Sequence, residues 1–348
     1  MAVEAQHETS GTTVVVTGTH DPVAPALVRR LLRSGHRVVV PAPPLLPGLS
    51  ALRARGWSQP GGPEVVEHDP EDPDVPAALA AGVDLVLHVA EGATPVAPVD
   101  GRARRGTTTL DALFALRVAE TNGARLVMTC PTDDDLVAAT LEGLLAGYRS
   151  AHDVDTVLVR VGECYGPGTP GGSGVVARML TQARTTGRVV VDGRDERRHH
   201  PCFVDDVVDG LLRVALDRTA PPGGAPVELV GADGFSTAEL AEQVCRATGA
   251  DLRVVGLAPL AAVAGGPAVS GVAAQGPGLP EGLRLTTADD GPARRGGDGP
   301  DAPLRPSRFS PRVGLAAGLD RCVRDPEAAA DASDRAATAT DPPAVTLP

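Results

Sequence analysis

Val14-Val-Val-Thr-Gly18, with the stretch Ala24–Ser34 close behind it, decides how this chain reads. Thr13–Thr17 is a short β-branched run ended by glycine, the pattern of a strand buried on both faces in a parallel sheet. Ala24–Ser34 sets Leu27, Leu31 and Leu32 at helical spacing and is stopped by Gly35. Arg37–Val40 then repeats the apolar run. Strand, helix and strand within about 30 residues make a βαβ unit, with a right-handed crossover. A strand ending in Thr-Gly before a helix also brings backbone N–H groups and a helix N-terminus to one point, where a pyrophosphate would sit.

Working outward, Glu64–Glu67, Leu85–Val89, Arg125–Thr129 and Thr156–Val161 read as further strands of the same kind. The fold class that follows is α/β: a doubly wound, Rossmann-type parallel sheet with a smaller C-terminal substrate-binding lobe. Residues 1–165 are expected to form the dinucleotide-binding domain, with a helix at about 203–217 returning to it. Residues 166–324 supply the lobe: a Gly/Pro loop, a helix over Val175–Thr185, a strand over Val189–Val191, and a helix over Thr237–Thr248. Ser236 or Thr237 caps that last helix, with Glu239 close behind. The Gly/Pro/Ala-rich segment 259–303 reads as an insertion, either floppy or serving as a lid, and 325–348 as a disordered tail.

Composition narrows the function. A net charge of −12 removes the attraction to phosphate backbones, so nucleic acid is not an expected partner. All 32 basic residues are arginine, which forbids any mechanism that needs an ammonium side chain. Five scattered cysteines without a Cys-x-x-Cys pair point to a reducing compartment rather than a disulfide frame or zinc site. The longest apolar runs are too short to cross a bilayer, and the polar, acidic N-terminus is unlike a secretion signal. A cytoplasmic protein with no membrane partner is expected, as a monomer or homodimer.

Several motifs share one source. Thr17-Gly18 with Asp21 and Ala24 follows the spacing Thr-Gly-x-x-Gly-x-x-Gly, with only the first glycine kept. Glu67-His-Asp69-Pro70 follows the third strand, and Leu87-His-Val-Ala90-Glu91 the fourth. Arg160-Val-Gly-Glu-Cys-Tyr165-Gly-Pro-Gly168 stands close to Arg-Pro-Gly-Asn-Val-Tyr-Gly-Pro-Gly, and Phe203-Val-Asp-Asp206-Val to a Phe-Val-x-Val-Asp-Asp-Val helix start. Ser310-Pro-Arg312-Val-Gly-Leu is similar to a C-terminal Pro-Arg-x-Ser-Leu motif. In this order, over roughly residues 13–255 and 304–324, the chain resembles the extended short-chain dehydrogenase/reductases, the NAD-dependent epimerase/dehydratase-like proteins.

The resemblance implies a dinucleotide site. Gly18, Thr19, His20, Asp21, Pro22 and Val23 would form its first turn, and Pro41, Asp69, Pro70, Val89, Ala90 and Glu91 the adenosine side. Thr129, Val161, Gly162, Glu163 and Cys164 would line the nicotinamide end. Asp21 would repel a pyrophosphate unless it turns away or caps the helix that begins near Pro22. Pro41 stands where NAD-binding relatives place an acid, and Arg53 and Arg55 follow. NADP(H) is therefore preferred with NAD(H) as the alternative, although the two arginines read equally well as a solvated helix face.

The family's catalytic Ser, Tyr and Lys positions fall on Pro131, Asp134 and Ala138, which leaves Thr129 and Thr132 as the nearby hydroxyls. An active-site loop is missing by this count. Tyr148 and His152 have the Tyr-x-x-x-Lys spacing, but they lie too near the sixth strand to leave room for a crossing helix, so Tyr148 is expected to pack. Thr132, Ser173, Arg198 and His199 are the substrate-binding candidates. The His199-His200 pair lacks an accompanying acid or cysteine motif, so no metal is expected. Asp205 and Asp206 are expected to cap the helix that follows.

The missing tyrosine and lysine resemble the tyrosine-less ketoreductases of aromatic-polyketide pathways, of the kind that acts on angucyclinones. That likeness implies an atypical NAD(P)H-dependent ketoreductase of antibiotic biosynthesis, with an aromatic ketone as substrate. Its oxyanion would be stabilised by the substrate itself and protonated by water. A non-catalytic sensor of nicotinamide dinucleotide is the second reading, and a sugar-nucleotide epimerase or dehydratase the third.

Overall fold

β-branched runs and amphipathic helices alternate through the first half of the computed structural model. It describes residues 11–18, 23–42, 61–68, 74–89, 107–132, 135–167, 174–195, 197–216, 223, 226–255 and 309–324. In chain order these form β1 (Thr13–Thr17), α1 (Val23–Arg33), β2 (Arg37–Ala42), β3 (Glu64–Glu67) and β4 (Leu85–His88). Then come α2 (Thr107–Asn122), β5 (Arg125–Pro131), α3 (Asp135–His152) and β6 (Thr156–Val161). β7 (Cys164–Tyr165), α4 (Val175–Thr186), β8 (Arg188–Asp192), β9 (Arg198–His199), β10 (Cys202–Phe203) and α5 (Val204–Leu216) follow. β11 (Val227–Leu229), β12 (Phe235–Ser236), α6 (Thr237–Thr248), β13 (Asp251–Val255) and α7 (Leu315–Val323) complete the described strands and α-helices.

Seven strands make one sheet in the order β3-β2-β1-β4-β5-β6-β11, and every neighbouring pair is parallel. The chain starts in the middle, at β1, builds outward to β3, then crosses to β4 and builds the other way. That reversal opens a crevice between the carboxyl ends of β1 and β4.

The face to which each side chain points follows the two-residue period of the strands. Val14 and Val16 face one side of the sheet and pack with Leu27, Val28 and Leu31 of α1, while Val15 faces the other and packs with Ala115 and Leu116 of α2. Both faces are covered, which is why β1 reads as unbroken valine rather than as an alternation. The scarcity of aromatics leaves aliphatic side chains to fill this core, with Phe114, Tyr165 and Phe203 as the aromatic exceptions, the last two packed together. The rings of that pair meet edge to face at 5.5 Å.

The predicted strands and helices stand within a few residues of their expected limits. β1, β3, β6 and α6 have the expected bounds, and α6 opens with a capping box in which Ser236 accepts from the Glu239 N–H and Glu239 from the Ser236 N–H. Several elements went unread. β11 has only three residues, too few for a pattern. β13 carries an exposed mixture of charged and apolar side chains and is held by its pairing with β8. In α2, Ala112, Ala115, Leu116, Val118 and Ala119 are all buried, so no single apolar stripe marks the helix.

One expectation needs correcting. α5 begins at Val204, so Asp205 and Asp206 both lie in its first turn rather than before it. Asp205 is exposed, whereas Asp206 is buried and accepts hydrogen bonds from the backbone N–H groups of Arg312 and Val313 at 3.0 and 2.9 Å. A buried carboxylate takes the strongest donors within reach, here those of the segment leading into α7. α7 is thereby set against Tyr165, where a Cβ on Gly318 would lie 2.3 Å from the tyrosine oxygen. Among the described residues no helix is long and apolar enough to cross a membrane. Segments 259–303 and 325–348, predicted as insertion and tail, lie outside the described residues.

Candidate functional site

The crevice at the β1/β4 reversal is built by one close approach. Gly18 has φ +72°, and a Cβ added there would stand 1.8 Å from the Val89 carbonyl oxygen. Val89 in turn donates its N–H to the Thr17 carbonyl at 3.1 Å. Only glycine can occupy this position, for both reasons. α1 then rises with no acidic residue in its first turn, and fully buried Ala24 lets it lie close on the sheet. The helix N-terminus, which carries the partial positive end of the helix dipole, faces the same edge. Gly18 and the start of α1 at Val23 are the described groups here that could hold a pyrophosphate.

Beneath the turn, Thr17 and His88 join side chains across β1 and β4 at 2.7 Å, Oγ1 to Nδ1. His88 is 1% exposed, and burial pushes its pKa down to about 4. The imidazole is thus neutral in the fold at neutral pH. Since the unfolded chain takes up this proton near pH 6.5 and the folded chain only near pH 4, the contribution is complete above 6.5 and is lost as pH falls toward 4. The loss is about 3 kcal/mol. Urea melts at pH 7 and pH 4.5 are expected to show this drop, and His88→Gln to show a smaller one; equal slopes with pH in the two proteins would refute it.

Two strands along, β5 and β6 end side by side. Pro131 pairs with Val161, and Thr132 donates its N–H to the Val161 carbonyl at 3.1 Å. Arg160 spans the gap, with Nη2 2.9 Å from both the Thr132 carbonyl and Asp135 Oδ1. Thr129 is buried in the sheet, and Thr132 is half-buried at its edge. Ala138, on the counted lysine position, is buried in the first turns of α3 under the core. Tyr148 lies at the far end of the same helix, its ring 5.0 Å from that of His152. His152 pairs with Glu120 at 2.8 Å, and neighbouring Arg149 bonds Thr156, the first residue of β6. Tyr148 therefore sits by the amino edge of the sheet, away from the crevice. Tyr165 is buried in the core, which raises its hydroxyl pKa.

Past β6, Gly162 donates to the Leu229 carbonyl at 2.9 Å, and the chain turns so that Glu163 and Cys164 stand at the carboxyl edge. Here the structure joins residues that the sequence leaves far apart. His199 Nδ1 is 3.0 Å from both oxygens of Glu163, and its Nε2 is 2.9 Å from Thr237 Oγ1. Thr237 donates to Asp195 Oδ2 at 2.9 Å, and Asp195 is held by Arg197. That hydrogen-bonded guanidinium keeps the Asp195 carboxyl well below the usual carboxylate range. Glu163 and His199 were readable as separate candidates; Asp195 and Thr237 were not, because their role comes from contacts across 36 to 42 residues. Arg198 is exposed and bonds the Gly234 carbonyl, and His200 is exposed beside it. Among the described residues no group of three His, Cys, Asp or Glu side chains could hold a metal ion.

Val89, Thr129, Thr132, Val161, Gly162, Glu163 and Cys164 thus lie with Gly18 and Val23 toward one sheet edge, and Pro41 lies in β2 near the same edge. Thr19, His20, Asp21, Pro22, Arg53, Arg55, Asp69, Pro70, Ala90, Glu91, Asp134 and Ser173 lie outside the described residues.

Comparison with known proteins agrees with this architecture. Residues 139–227 match the NAD dependent epimerase/dehydratase family. UDP-glucuronic acid decarboxylase 6 of Arabidopsis thaliana is 25% identical over 261 residues, which cover 66% of this chain and 73% of that protein. UDP-glucuronic acid decarboxylase 3 of the same plant is 23% identical over 259 residues, with 66% and 73% covered. Among solved structures, an epimerase of Methanothermobacter thermautotrophicus superimposes with a TM-score of 0.64 at 17% identity, covering 95% of each chain. The UDP-glucose 4-epimerase of Thermotoga maritima, solved with UDP-glucose, gives 0.60 at 18%, covering 90% of this chain and 97% of its own. The shared feature is the Rossmann-like fold with its seven-stranded parallel sheet.

Proposed function

We propose that this chain is a nicotinamide-dinucleotide-dependent ketoreductase that works without a Tyr-Lys pair. Its preferred cofactor is NADP(H), with NAD(H) as the alternative. Its substrate is a ketone of a bulky aromatic polyketide of the angucyclinone type, in antibiotic biosynthesis. The observation that carries the reading is the Gly18 turn, pressed against Val89 where the sheet order reverses and followed by a helix with no acid in its first turn. Pro41, the last residue but one of β2, brings no carboxylate that would repel a 2′-phosphate, which supports NADP(H).

The bound dinucleotide supplies a hydride. The chain's own part is to hold the carbonyl near it and to exclude competing positions, which carries much of the rate advantage in such a reaction. With no lysine anywhere in the sequence, no ammonium group can lower a tyrosine's pKa. A phenol or enol next to the ketone stabilises the developing alkoxide instead. Thr129 and Thr132 are the hydroxyls beside Pro131, and Arg198 and His199 of β9 are the further substrate-binding candidates.

The similarity to UDP-glucuronic acid decarboxylases favours a second reading, in which the substrate is a sugar nucleotide. One assay separates them. Purified protein is expected to consume NADPH faster than NADH with a panel of polycyclic aromatic ketones and to leave UDP-glucuronic acid unchanged. Conversion of the UDP-sugar would install the second reading. Dinucleotide binding without turnover of either substrate would leave a nicotinamide-dinucleotide sensor.

A further inference from the structure

The Glu163–His199–Thr237–Asp195 line has a direction, and the proton count sets it. Asp195 is ionised under the Arg197 guanidinium, so it can only accept, and the single hydroxyl proton of Thr237 goes to it. The Thr237 oxygen then faces His199 Nε2 as an acceptor, so that nitrogen carries a proton. His199 Nδ1 is left opposite both oxygens of Glu163, with one proton between them. His199 and Thr237 are 7% and 5% exposed, whereas the Glu163 side chain is 24% exposed at the carboxyl edge of β6. The line opens to solvent at Glu163. The carboxyl ends of β4 and β6 are separated by one strand, hence by roughly 10 Å, a span that a polycyclic substrate can bridge.

We propose that the His199–Glu163 pair is the proton donor of this cleft, the His199 Nδ1 proton passing to the substrate through Glu163, and that Thr237 and Asp195 are positioning residues that orient His199. The proposal rests on the carbonyl-reduction reading and replaces water as the immediate donor within it. In the step, the carbonyl carbon receives a hydride from the reduced dinucleotide, and the carbon–oxygen π pair moves to oxygen. The alkoxide takes the proton lying between Glu163 and His199 through a Glu163 oxygen. His199 is left neutral, with Nε2–H still directed at Thr237, and one proton taken up from bulk solvent restores Nδ1–H. Oxidised dinucleotide and alcohol leave, and the charges balance.

The test has two arms on the full-length chain. In the first, ring ¹⁵N spectra of histidine-labelled protein without ligand, assigned with His199→Gln, are expected to show both His199 nitrogens protonated. Glu163→Gln should change the Nδ1 signal and spare Nε2. An unprotonated Nε2 overturns the proposal whatever the substrate proves to be. In the second arm, Glu163→Gln is expected to lower kcat for ketone reduction by about 100-fold, the lower range for a lost general acid. The loss should fall on kcat more than on KM, and Glu163→Asp should restore part of the rate. Wild-type protein that reduces ketones while Glu163→Gln matches it overturns the donor role alone. Wild-type protein inert toward every ketone overturns the reduction reading, and the donor role with it.

Discussion

Gly18→Ala is expected to cost at least about 4 kcal/mol of stability, in the range reserved for severe steric and backbone faults, and to abolish dinucleotide binding. Two penalties combine. A left-handed φ of +72° costs an alanine roughly 1–2 kcal/mol. The added Cβ would also lie 1.8 Å from the Val89 carbonyl oxygen, inside any van der Waals contact. The obstacle is backbone, in the loop after a central strand, so relief requires β1 and β4 to part or the turn to lift. Either movement displaces the N–H groups that would face a pyrophosphate. Urea denaturation gives the stability and titration calorimetry with NADPH the binding. A variant that melts like wild type would show that β1 and β4 do not approach as described.

Asp206→Ala is expected to cost about 3–5 kcal/mol, because two hydrogen bonds to a charged acceptor are lost and two backbone donors are stranded. Both donors, Arg312 and Val313, bond the same oxygen, Oδ2. Asp206→Asn keeps one acceptor at that point and should cost less than half as much. The damage should spread along α7, which rests on Tyr165 through Gly318 and reaches Phe203 through the Arg321 guanidinium, 5.3 Å from the ring centroid. Hydrogen exchange over Leu315–Val323 is the direct readout: fast exchange in Asp206→Ala with the sheet still protected localises the loss. Unchanged exchange there would mean that the carboxylate is not what holds α7.

The central strands of the sheet were legible because they are buried on both faces. Val14–Val16, Leu85–Leu87 and Val157–Val159 are runs that few other environments accept, and their punctuation by glycine, proline and aspartate marks the ends. Gly18 was legible for a related reason, since a glycine at a strand-to-helix turn answers a backbone demand that leaves a mark in one residue. β11 and β13 were not legible, because three residues, or five half-exposed ones, take their conformation from the strand beside them.

The polar line at the end of β6 shows the boundary most clearly. Local sequence determined that Glu163 follows a strand, that His199 lies in a short polar segment, and that Ser236 caps a helix. Tertiary structure alone decided that Glu163, His199, Thr237 and Asp195 touch, and that Asp206 serves the distant Arg312 and Val313 rather than its own helix. The physical reason is range. Backbone propensity and burial act between near neighbours and repeat along the chain, so they can be read from it. A hydrogen bond between side chains dozens of residues apart leaves no periodic trace, and exists only after the packed sheet has brought its partners within 3 Å.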